Sequence, residues 1–304
     1  MNRVISSSSF QNLYKETIKT LIESPDFVCS PRGMKVNELL FATLVLENPR
    51  NRIVVSPARE PNYGFGVGEF LWYVTGKQDL DTMLYYNKRM KKFSDDGKTL
   101  NSAYGHRMFS YVKNENGIDT WITQWEAALK KLSNDRDTRQ AVIHINQPHD
   151  QVKLTRDVPC TLSIMFFIRE NKLFMRNQMR SNDIIWGTLY DIYSFTLFHE
   201  LMLNDLKKVY PELELGPYVH QADSLHLYEQ HFEMANKIVA EPFHDVEPQK
   251  PIINSELQGL LLIEESLRTG RLLFDQVSVG ETVNWMSEQL EEQAKKRNAE
   301  KNEK

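Results

Sequence analysis

The stretch PCTLSIMFFIRENKLFMRNQMRSND, residues 159–183, indicates the fold. Cys160 to Ile168 form a continuous apolar run that is too short for a comfortable helix and is rich in isoleucine and phenylalanine, as in a buried strand. Arg169 to Lys172 are typical of a hairpin loop, and Leu173 to Met179 alternate in polarity like a returning strand. The stretch therefore predicts two paired strands of a sheet.

Helices and a further strand are predicted on either side of this hairpin. Residues 141–145 have the pattern of a strand, and apolar residues recur at helical spacing between Ile122 and Leu132. Residues 192–206 predict a long buried helix, and residues 227–240 predict another. We therefore expect an α+β fold in which helices pack on a large sheet.

Length and composition narrow the class of protein. The chain has 304 residues, of which 41% are hydrophobic, and this is ample for a large packed core. A net charge of −4 gives no reason to expect nucleic acid as a partner. The first thirty residues lack a long apolar run, so neither a signal peptide nor a membrane span is expected. With only Cys29 and Cys160, a disulfide framework is excluded and a cytoplasmic, reducing compartment is favoured.

The chain contains no internal repeat and no long linker, so residues 1–286 are expected to form a single catalytic domain. From about Ser287 the sequence becomes strongly charged, with both signs alternating. Residues 287–304 therefore predict a solvated helix that frays into a disordered tail.

Three alternating glycines, Gly64, Gly66 and Gly68, precede an apolar helix that is predicted from Phe70. A dinucleotide-binding fingerprint would place its third glycine where Glu69 stands. We therefore interpret this segment as a flexible loop.

Three histidines, His220, His226 and His231, lie close in sequence near Asp223. Their spacings do not bring two of them onto one helical face, and neither cysteine is nearby. We therefore expect ordinary polar side chains here, and no zinc site.

Cys160 is a candidate nucleophile. A lone cysteine at the start of an apolar strand is most often a small buried hydrophobic residue. Arg156, Arg176 and Arg180 flank it in sequence, however, and the hairpin would carry Arg180 back towards it. A guanidinium near the sulfur favours the thiolate, which is the nucleophilic form.

Arginines also provide a candidate phosphate site. Arg32, Arg139 and Arg180 could each be an ordinary surface residue. If the fold clusters them, they would form a bidentate clamp for a phosphate dianion.

Several motifs, in order, resemble those of the thymidylate synthase superfamily. Pro159-Cys160 is followed by Met179-Arg-Ser-Asn-Asp183, Ile184-Ile-Trp-Gly187 and Asp191. The other matching segments are Gly68–Gly76, Asn101–Gly105, Asp137–Arg139 and Asp223–Tyr228. The resemblance runs from about residue 27 to 240 and implies a large mixed β-sheet flanked by helices, in a homodimer that packs through its sheets.

The resemblance implies how the catalytic residues act. Cys160 would add to C6 of a pyrimidine nucleotide, and C5 would then capture the methylene group of 5,10-methylenetetrahydrofolate. Glu69 would manage proton transfers through water, with assistance from Tyr104. Asp191 would read the base.

The resemblance also implies the binding residues. Arg32, Arg180 and Ser181 would hold the nucleotide phosphate, joined by Arg139 from the other subunit. His226 and Tyr228 would hold the sugar hydroxyl. The residues implied to bind the folate are Asp183, Trp186 and Gly187.

Asp191 is an informative departure from the family pattern, which has asparagine there to read uracil. Cytosine reverses the donor and acceptor at its Watson–Crick edge, and an aspartate that shares a proton with N3 complements it. Thr161 likewise replaces the histidine that usually follows the cysteine. The segments Met-Arg-Ser-Asn-Asp, Asn-Ser-x-Tyr-Gly and Ser-Leu-His are more similar to those of the phage deoxycytidylate hydroxymethylases. The alternative is that Asp191 caps the following helix.

Three further departures concern the phosphate clamp and the folate site. Gln140 replaces a second phosphate arginine beside Arg139. Met90 stands about where the family has a tryptophan near the folate, and the C-terminus is polar where the family has a closing apolar segment. The last two suggest a wetter site, in which water could add to the methylene group.

We therefore expect a folate-dependent deoxycytidylate 5-hydroxymethyltransferase that acts on dCMP, or on CMP. Thymidylate synthase and cytidylate C5-methylase are the alternatives within the superfamily. A nucleotide-binding homologue without catalysis is a third alternative. A cytoplasmic homodimer that contacts neither nucleic acid nor membrane is expected in each case.

Overall fold

The computed structural model describes residues 3–114, 116–242, 246–271 and 280–302. By their contacts they fall into two compact units. Unit 1 comprises Met1–Pro61, Ala127–Asn146 and Cys160–Pro248, and unit 2 comprises Asn62–Glu126, Gln147–Pro159 and Gln249–Lys304. The assignment of residues 1–286 to a single catalytic domain stays a prediction.

The described residues form both strands and helices along the whole chain. The strands are β1 (Val4–Ser7), β2 (Phe27–Cys29), β3 (Val36–Leu46), β4 (Tyr111–Lys113), β5 (Asp119–Thr123), β6 (Val142–His144), β7 (Thr161–Arg169), β8 (Lys172–Met179), β9 (Asn182–Asp183) and β10 (Glu214–Tyr228). The helices are α1 (Phe10–Glu23), α2 (Tyr63–Val74), α3 (Leu80–Tyr86), α4 (Tyr104–Phe109), α5 (Gln124–Asn134), α6 (Thr188–Leu206), α7 (Phe232–Ala240), α8 (Asn254–Thr269) and α9 (Glu281–Asn302).

Unit 1 is built on a mixed sheet, which has eight strands among the described residues. Its order is β1-β3-β10-β8-β7-β6, with β2 beside β3 and β9 beside β10. Strand β10 runs parallel to β8 and β9 and antiparallel to β3. The predicted α+β fold with a large mixed sheet and flanking helices is therefore confirmed.

The predicted hairpin joins β7 to β8. The two strands pair antiparallel, with Arg169 opposite Lys172. The two residues between them, Glu170 and Asn171, have φ angles of 48° and 60°. Both angles are left-handed, as a type I′ turn requires, and the twist of that turn matches the twist of paired strands.

Helix α6 is buried on nearly all sides and packs against β8 and β10. The predicted buried helix is thus present, and it begins earlier than expected, at Thr188. Its buried Glu200 accepts hydrogen bonds from Arg50 at 2.8 Å and from Arg52 at 2.5 Å. Two guanidinium groups offset the cost of burying this carboxylate. No helix of the described residues is both long enough and apolar enough to span a membrane.

The helix predicted at residues 227–240 begins later than expected. Strand β10 continues to Tyr228, because Leu225 to Tyr228 pair with β3 in an unbroken register. Helix α7 begins at Phe232. Ile122, which was grouped with the helical residues, likewise lies on β5 before α5 begins. Strand pairing decided both boundaries, with the distant strand β3 for β10 and with the preceding strand β4 for β5.

The glycine-rich segment in unit 2 is helical, so its interpretation as a flexible loop is wrong. Gly64, Gly66 and Gly68 all lie within α2. A Cβ at Gly64 would lie 2.7 Å from the Gln289 carbonyl oxygen, and one at Gly68 would lie 2.3 Å from the ring of Tyr86. The glycines therefore permit close packing of α2 against α9 and α3.

The charged C-terminal segment differs from its prediction too. Helix α9 is continuous from Glu281 to Asn302, and it crosses the expected boundary at residue 286. Leu290 and Ala294 are buried, and the Asn62 amide donates to the Gln293 side chain at 3.1 Å. Packing against α2 orders this segment, whereas alternating charge alone predicted fraying.

Candidate active site

The carboxyl ends of β8, β9 and β10 lie at one edge of the sheet in unit 1. His226 of β10 is opposite Asp183 of β9, and Tyr228 is opposite Val36 of β3. Val36 is in turn opposite Cys29, the last residue of β2. In open sheets, ligands bind outside the carboxyl ends of the strands. This edge therefore groups the segments that follow β2, β8 and β9 with the end of β10.

Cys160 and Arg180 meet at this edge. Cys160 immediately precedes β7 and is half-buried. The backbone N–H of Arg180 donates to the Cys160 carbonyl oxygen at 2.9 Å, and Nη2 of Arg180 lies 3.8 Å from the Cys160 sulfur. A cation at this distance favours the thiolate. The structure thus gives the candidate nucleophile a neighbouring guanidinium group at this edge of the sheet.

The other two arginines that flank Cys160 in sequence have different neighbours. Arg176 lies on β8, where Nη2 is 3.3 Å from both the Met165 sulfur and the Gln178 side-chain oxygen. Arg156 belongs to unit 2, where Nε is 3.7 Å from Asp95. Arg180 is therefore the arginine that the hairpin delivers to the sulfur.

Asp183 organises the turn between β9 and α6. Its Oδ1 accepts hydrogen bonds from the backbone N–H groups of Ile185 at 2.8 Å and Trp186 at 3.1 Å. The Trp186 ring is 48% exposed and meets His231 edge-on at 4.8 Å. A Cβ at Gly187 would lie 2.9 Å from Asn182 Nδ2 and 3.2 Å from Asp191 Oδ2. Gly187 therefore leaves space for the contact between those two side chains.

Asp191 lies in the first turn of α6, where Asn182 Nδ2 donates to its Oδ2 at 2.8 Å. Asp191 as a residue is half-buried. Burial raises the pKa of Asp191 to about 7, against the opposing effect of the Asn182 hydrogen bond. Gly187 is the N-cap residue, so Asp191 is not the helix cap that was considered as an alternative.

A buried polar chain lies behind Asp191, and sequence reasoning missed it. Asn182 Oδ1 is 3.0 Å from His220 Nε2, and His220 Nδ1 is 2.9 Å from the Tyr218 hydroxyl. Tyr218, His220 and Ala222 alternate onto the buried face of β10. That period-two pattern was the available signal, because it places His220 on the same buried face of β10 as Tyr218 and Ala222. Among the described residues, no three His, Cys, Asp or Glu are grouped to hold a metal ion.

His226 and Tyr228 lie together near the end of β10. Their rings meet edge-on at 5.0 Å, and His226 Nδ1 is 3.2 Å from the Ser224 carbonyl oxygen. If Nδ1 carries the proton and donates to that oxygen, Nε2 is left as an acceptor. The pair can therefore bind a hydroxyl group.

The remaining candidates of unit 1 are exposed or half-buried. Arg32 lies in a 3-10 turn after β2, with a left-handed φ of 53° and an exposed side chain. Ser181 is half-buried and adjoins Arg180, whereas Arg139 is exposed in the loop between α5 and β6. Arg180 and Ser181 are thus adjacent, and Arg139 is not joined to them by a contact within the described chain.

Unit 2 carries the other two catalytic candidates. Glu69 lies half-buried on α2, one helical turn before Tyr73. The Tyr73 ring stacks on the Tyr104 ring at 5.4 Å. A Cβ at Gly105 would lie 2.0 Å from the Tyr73 carbonyl oxygen, so α4 approaches α2 closely. Helix α2 therefore groups Glu69 with Tyr104.

A half-buried thiol beside a guanidinium group, at the edge of a mixed sheet flanked by helices, is an arrangement typical of enzymes that use a cysteine nucleophile. Residues 14–258 match the sequence model of thymidylate synthase, and the chain belongs to that family. The predicted resemblance is thereby confirmed.

Three phage proteins, each named deoxyuridylate hydroxymethyltransferase, are similar to this chain. The one from Bacillus phage SP01 is 35% identical over 228 residues, which cover 73% of this chain and 58% of the relative. Those of Pseudomonas phage M6 and Delftia phage PhiW-14 are 30% and 27% identical, over 64% of this chain and 52% and 54% of the relatives. The chain thus spans little more than half the length of these relatives. They support the hydroxymethylase-like branch, although their names give deoxyuridylate where the sequence suggested deoxycytidylate.

Proposed function

We propose that this protein is a C5 hydroxymethyltransferase for a pyrimidine nucleoside monophosphate, with 5,10-methylenetetrahydrofolate as the one-carbon donor. The observation that carries the proposal is the 3.8 Å contact between the Cys160 sulfur and Arg180 at the sheet edge. The names of the phage relatives favour hydroxymethylation over methylation.

The proposed chemistry begins with the thiolate of Cys160, which adds to C6 of the pyrimidine ring and moves an electron pair to C5. C5 takes the methylene carbon from the folate and loses its proton. The bond from that carbon to the folate nitrogen then breaks, so tetrahydrofolate leaves and an exocyclic methylene group remains at C5. Water adds to this methylene carbon as the thiolate leaves. Overall, C5–H becomes C5–CH₂OH and the reaction releases tetrahydrofolate, so no hydride is transferred.

Glu69 and Tyr104 are proposed to manage the proton transfers. A carboxylate acting through water suits the removal of the C5 proton. The stack of Tyr104 on Tyr73, one turn after Glu69, supports a shared role for the two candidates. Met90, which stands about where the family has a tryptophan near the folate, also lies in unit 2, in the 3-10 turn Lys88–Lys92.

Arg180 and Ser181 are proposed to hold the nucleotide phosphate with Arg32, because guanidinium groups bind phosphate oxygens in pairs. The sheet register supports this grouping. Cys29 and Tyr228 both lie opposite Val36, one on each side of β3, and Arg32 follows Cys29 by three residues. His226 and Tyr228 are proposed to bind the sugar hydroxyl, for which Nε2 of His226 is a suitable acceptor.

Asp183, Trp186 and Gly187 are proposed to bind the folate. Asp183 uses Oδ1 for the backbone of its own turn, so Oδ2 can accept N–H groups from a pterin. The half-exposed Trp186 ring provides an apolar surface for an aromatic ligand.

The base is proposed to be cytosine, with dCMP as the substrate, because Asp191 replaces the amide that reads uracil. Near neutral pH the carboxyl group exists in both protonation states, since its pKa is about 7. A neutral carboxyl has one donor and one acceptor, which can match N3 and the amino group of cytosine.

A second candidate substrate is dUMP. Two observations favour it. The three relatives are named for deoxyuridylate. A neutral Asp191 carboxyl group can also match uracil. Its protonated oxygen would then donate to the C4 carbonyl, and its other oxygen would accept from the N3–H group.

The functional form is proposed to be a homodimer. On the sheet face opposite α6, a half-exposed row crosses four strands through Met165, Arg176, Val219 and Val45. Phe41 of β3 is 49% exposed. A second copy of this chain would cover the face, and its Arg139 would complete the phosphate site.

The test is turnover of dCMP and dUMP with 5,10-methylenetetrahydrofolate, followed by mass spectrometry of the nucleotide. We expect a product heavier by one CH₂O unit and no absorbance from dihydrofolate. Dihydrofolate with a methylated product would instead identify a thymidylate synthase or a cytidylate methylase. Binding without turnover would identify a homologue that lacks catalysis.

Cys160→Ser with Cys29→Ser as its matched control tests the nucleophile. The first variant should lose turnover and keep nucleotide binding, because the proposed phosphate and sugar contacts lie elsewhere. The second should stay close to wild type. Substantial turnover by Cys160→Ser would assign Cys160 a structural role.

A further inference from the structure

Asp191 is the end of a chain of four polar side chains in unit 1. The Tyr218 hydroxyl contacts His220 Nδ1 at 2.9 Å, His220 Nε2 contacts Asn182 Oδ1 at 3.0 Å, and Asn182 Nδ2 donates to Asp191 Oδ2 at 2.8 Å. The Thr188 hydroxyl also donates to Asn182 Oδ1, at 2.5 Å. Tyr218, His220 and Thr188 are fully buried, and Asn182 is 4% exposed.

The chain has one consistent direction. Because the Asn182 amide points Nδ2 at Asp191, its Oδ1 faces His220 Nε2 at 3.0 Å. Two acceptors would repel each other at that distance, so the His220 proton is on Nε2. His220 then accepts from the Tyr218 hydroxyl through Nδ1. Burial lowers the pKa of His220 to about 3, so the imidazole is neutral and has one N–H to place.

This direction makes the two oxygens of Asp191 unequal. Oδ2 always accepts from Asn182, so a proton taken up by the carboxyl is on Oδ1. The neutral group therefore presents a donor at Oδ1 and an acceptor at Oδ2. Cytosine and uracil offer opposite donor and acceptor orders at C4 and N3, so a fixed order on Asp191 fits one base and opposes the other.

We propose that His220 and Asn182 are specificity-positioning residues, which select the base by fixing the direction of the hydrogen bonds that end on Asp191. This inference rests on the proposed function, because it assumes that Asp191 meets the base. It assigns the discrimination between cytosine and uracil to the hydrogen-bonded side chains behind Asp191. The inference applies whether the enzyme prefers dCMP or dUMP.

The test compares His220→Leu with His220→Gln. Leucine removes the His220 donor to Asn182 Oδ1, and the remaining Thr188 hydroxyl can either donate to Oδ1 or accept from Nδ2. The Asn182 amide can then turn over, and the Asp191 proton can move to Oδ2. Glutamine supplies an amide N–H in place of the imidazole N–H. We expect His220→Leu to reduce the ratio of kcat/KM between the preferred and the disfavoured nucleotide by roughly tenfold or more, mainly through a gain for the disfavoured one. His220→Gln should restore the ratio.

A purely structural role would lower kcat/KM for both nucleotides equally and leave the ratio unchanged, which would overturn the proposal. The ¹⁵N chemical shifts of His220 in the wild type give a second test that needs no variant to fold. A proton on Nε2 supports the direction described, and a proton on Nδ1 contradicts it. If the wild type turns over neither nucleotide, the proposed function fails, while the ¹⁵N measurement still reports on the chain.

Discussion

At the scale of single residues, Asp191 has a carboxyl group whose ionisation is controlled by its enclosure. Burial holds the pKa of Asp191 at about 7 in the folded protein, whereas an aspartate in an unfolded chain ionises near pH 4. Between these values the folded state binds more protons than the unfolded state. The free energy of unfolding should therefore fall as pH rises from about 4 to about 7, and the contribution should then level off.

Asp191→Asn tests this contribution without nucleotide. Asparagine cannot ionise, so the variant avoids the cost of burying a charge. We expect its Tm, relative to wild type, to increase from about pH 4 to about pH 7 and then to stay constant. Calorimetry across that range gives the two curves. A Tm difference that does not change with pH would show that the folded and unfolded states ionise alike at this residue.

At the scale of elements, helix α2 shows how glycines allow a helix that carries a proposed catalytic residue, Glu69, to pack closely against its neighbours. Gly68 lies against the Tyr86 ring of α3, and the Tyr86 hydroxyl donates to Glu264 of α8 at 2.7 Å. Glu264 in turn accepts from Arg268 at 2.7 Å. The residue before Glu69 is therefore held by two further helices of unit 2.

Gly68→Ala should destabilise the protein by about 1–3 kcal/mol, because the added methyl group meets the Tyr86 ring. Tyr86→Leu creates space and should be destabilising by itself. In the double variant the methyl group enters that space, so the combined loss should be smaller than the sum of the two single losses. Denaturant unfolding of the four proteins measures the coupling. Strictly additive losses would mean that Gly68 and Tyr86 act independently.

At the scale of the whole molecule, Arg139 provides the test of assembly. An Arg139→Ala chain and a Cys160→Ser chain should each be inactive alone. If Arg139 serves the neighbouring site, a mixed dimer contains one site with both residues intact. An equal mixture should then recover roughly a quarter of wild-type activity, since half of the dimers are mixed.

The recovered activity should appear only when subunits can exchange. An assay made immediately after mixing, before subunits have exchanged, therefore serves as the control, and sedimentation reports the oligomeric state. A mixture that stays inactive although dimers form would place both residues in a site within one chain.

Sequence by itself determined the strand pair around Cys160, the buried helix after Asp191 and membership of the thymidylate synthase family. These features depend on local patterns and short motifs, such as the period-two alternation of β8 and the hairpin turn that precedes it. The return of Arg180 to the Cys160 sulfur followed from the same local geometry.

Only the tertiary structure decided the remaining features. The glycines of α2 form a helix because α3 and α9 approach it, and α9 is ordered because α2 receives its apolar side chains. The chain from Tyr218 to Asp191 joins residues from β10, β9 and α6, and only the parallel pairing of β9 with β10 brings them together. Contacts between residues that are distant in sequence control these features. A local sequence pattern does not indicate which distant residue a side chain will contact.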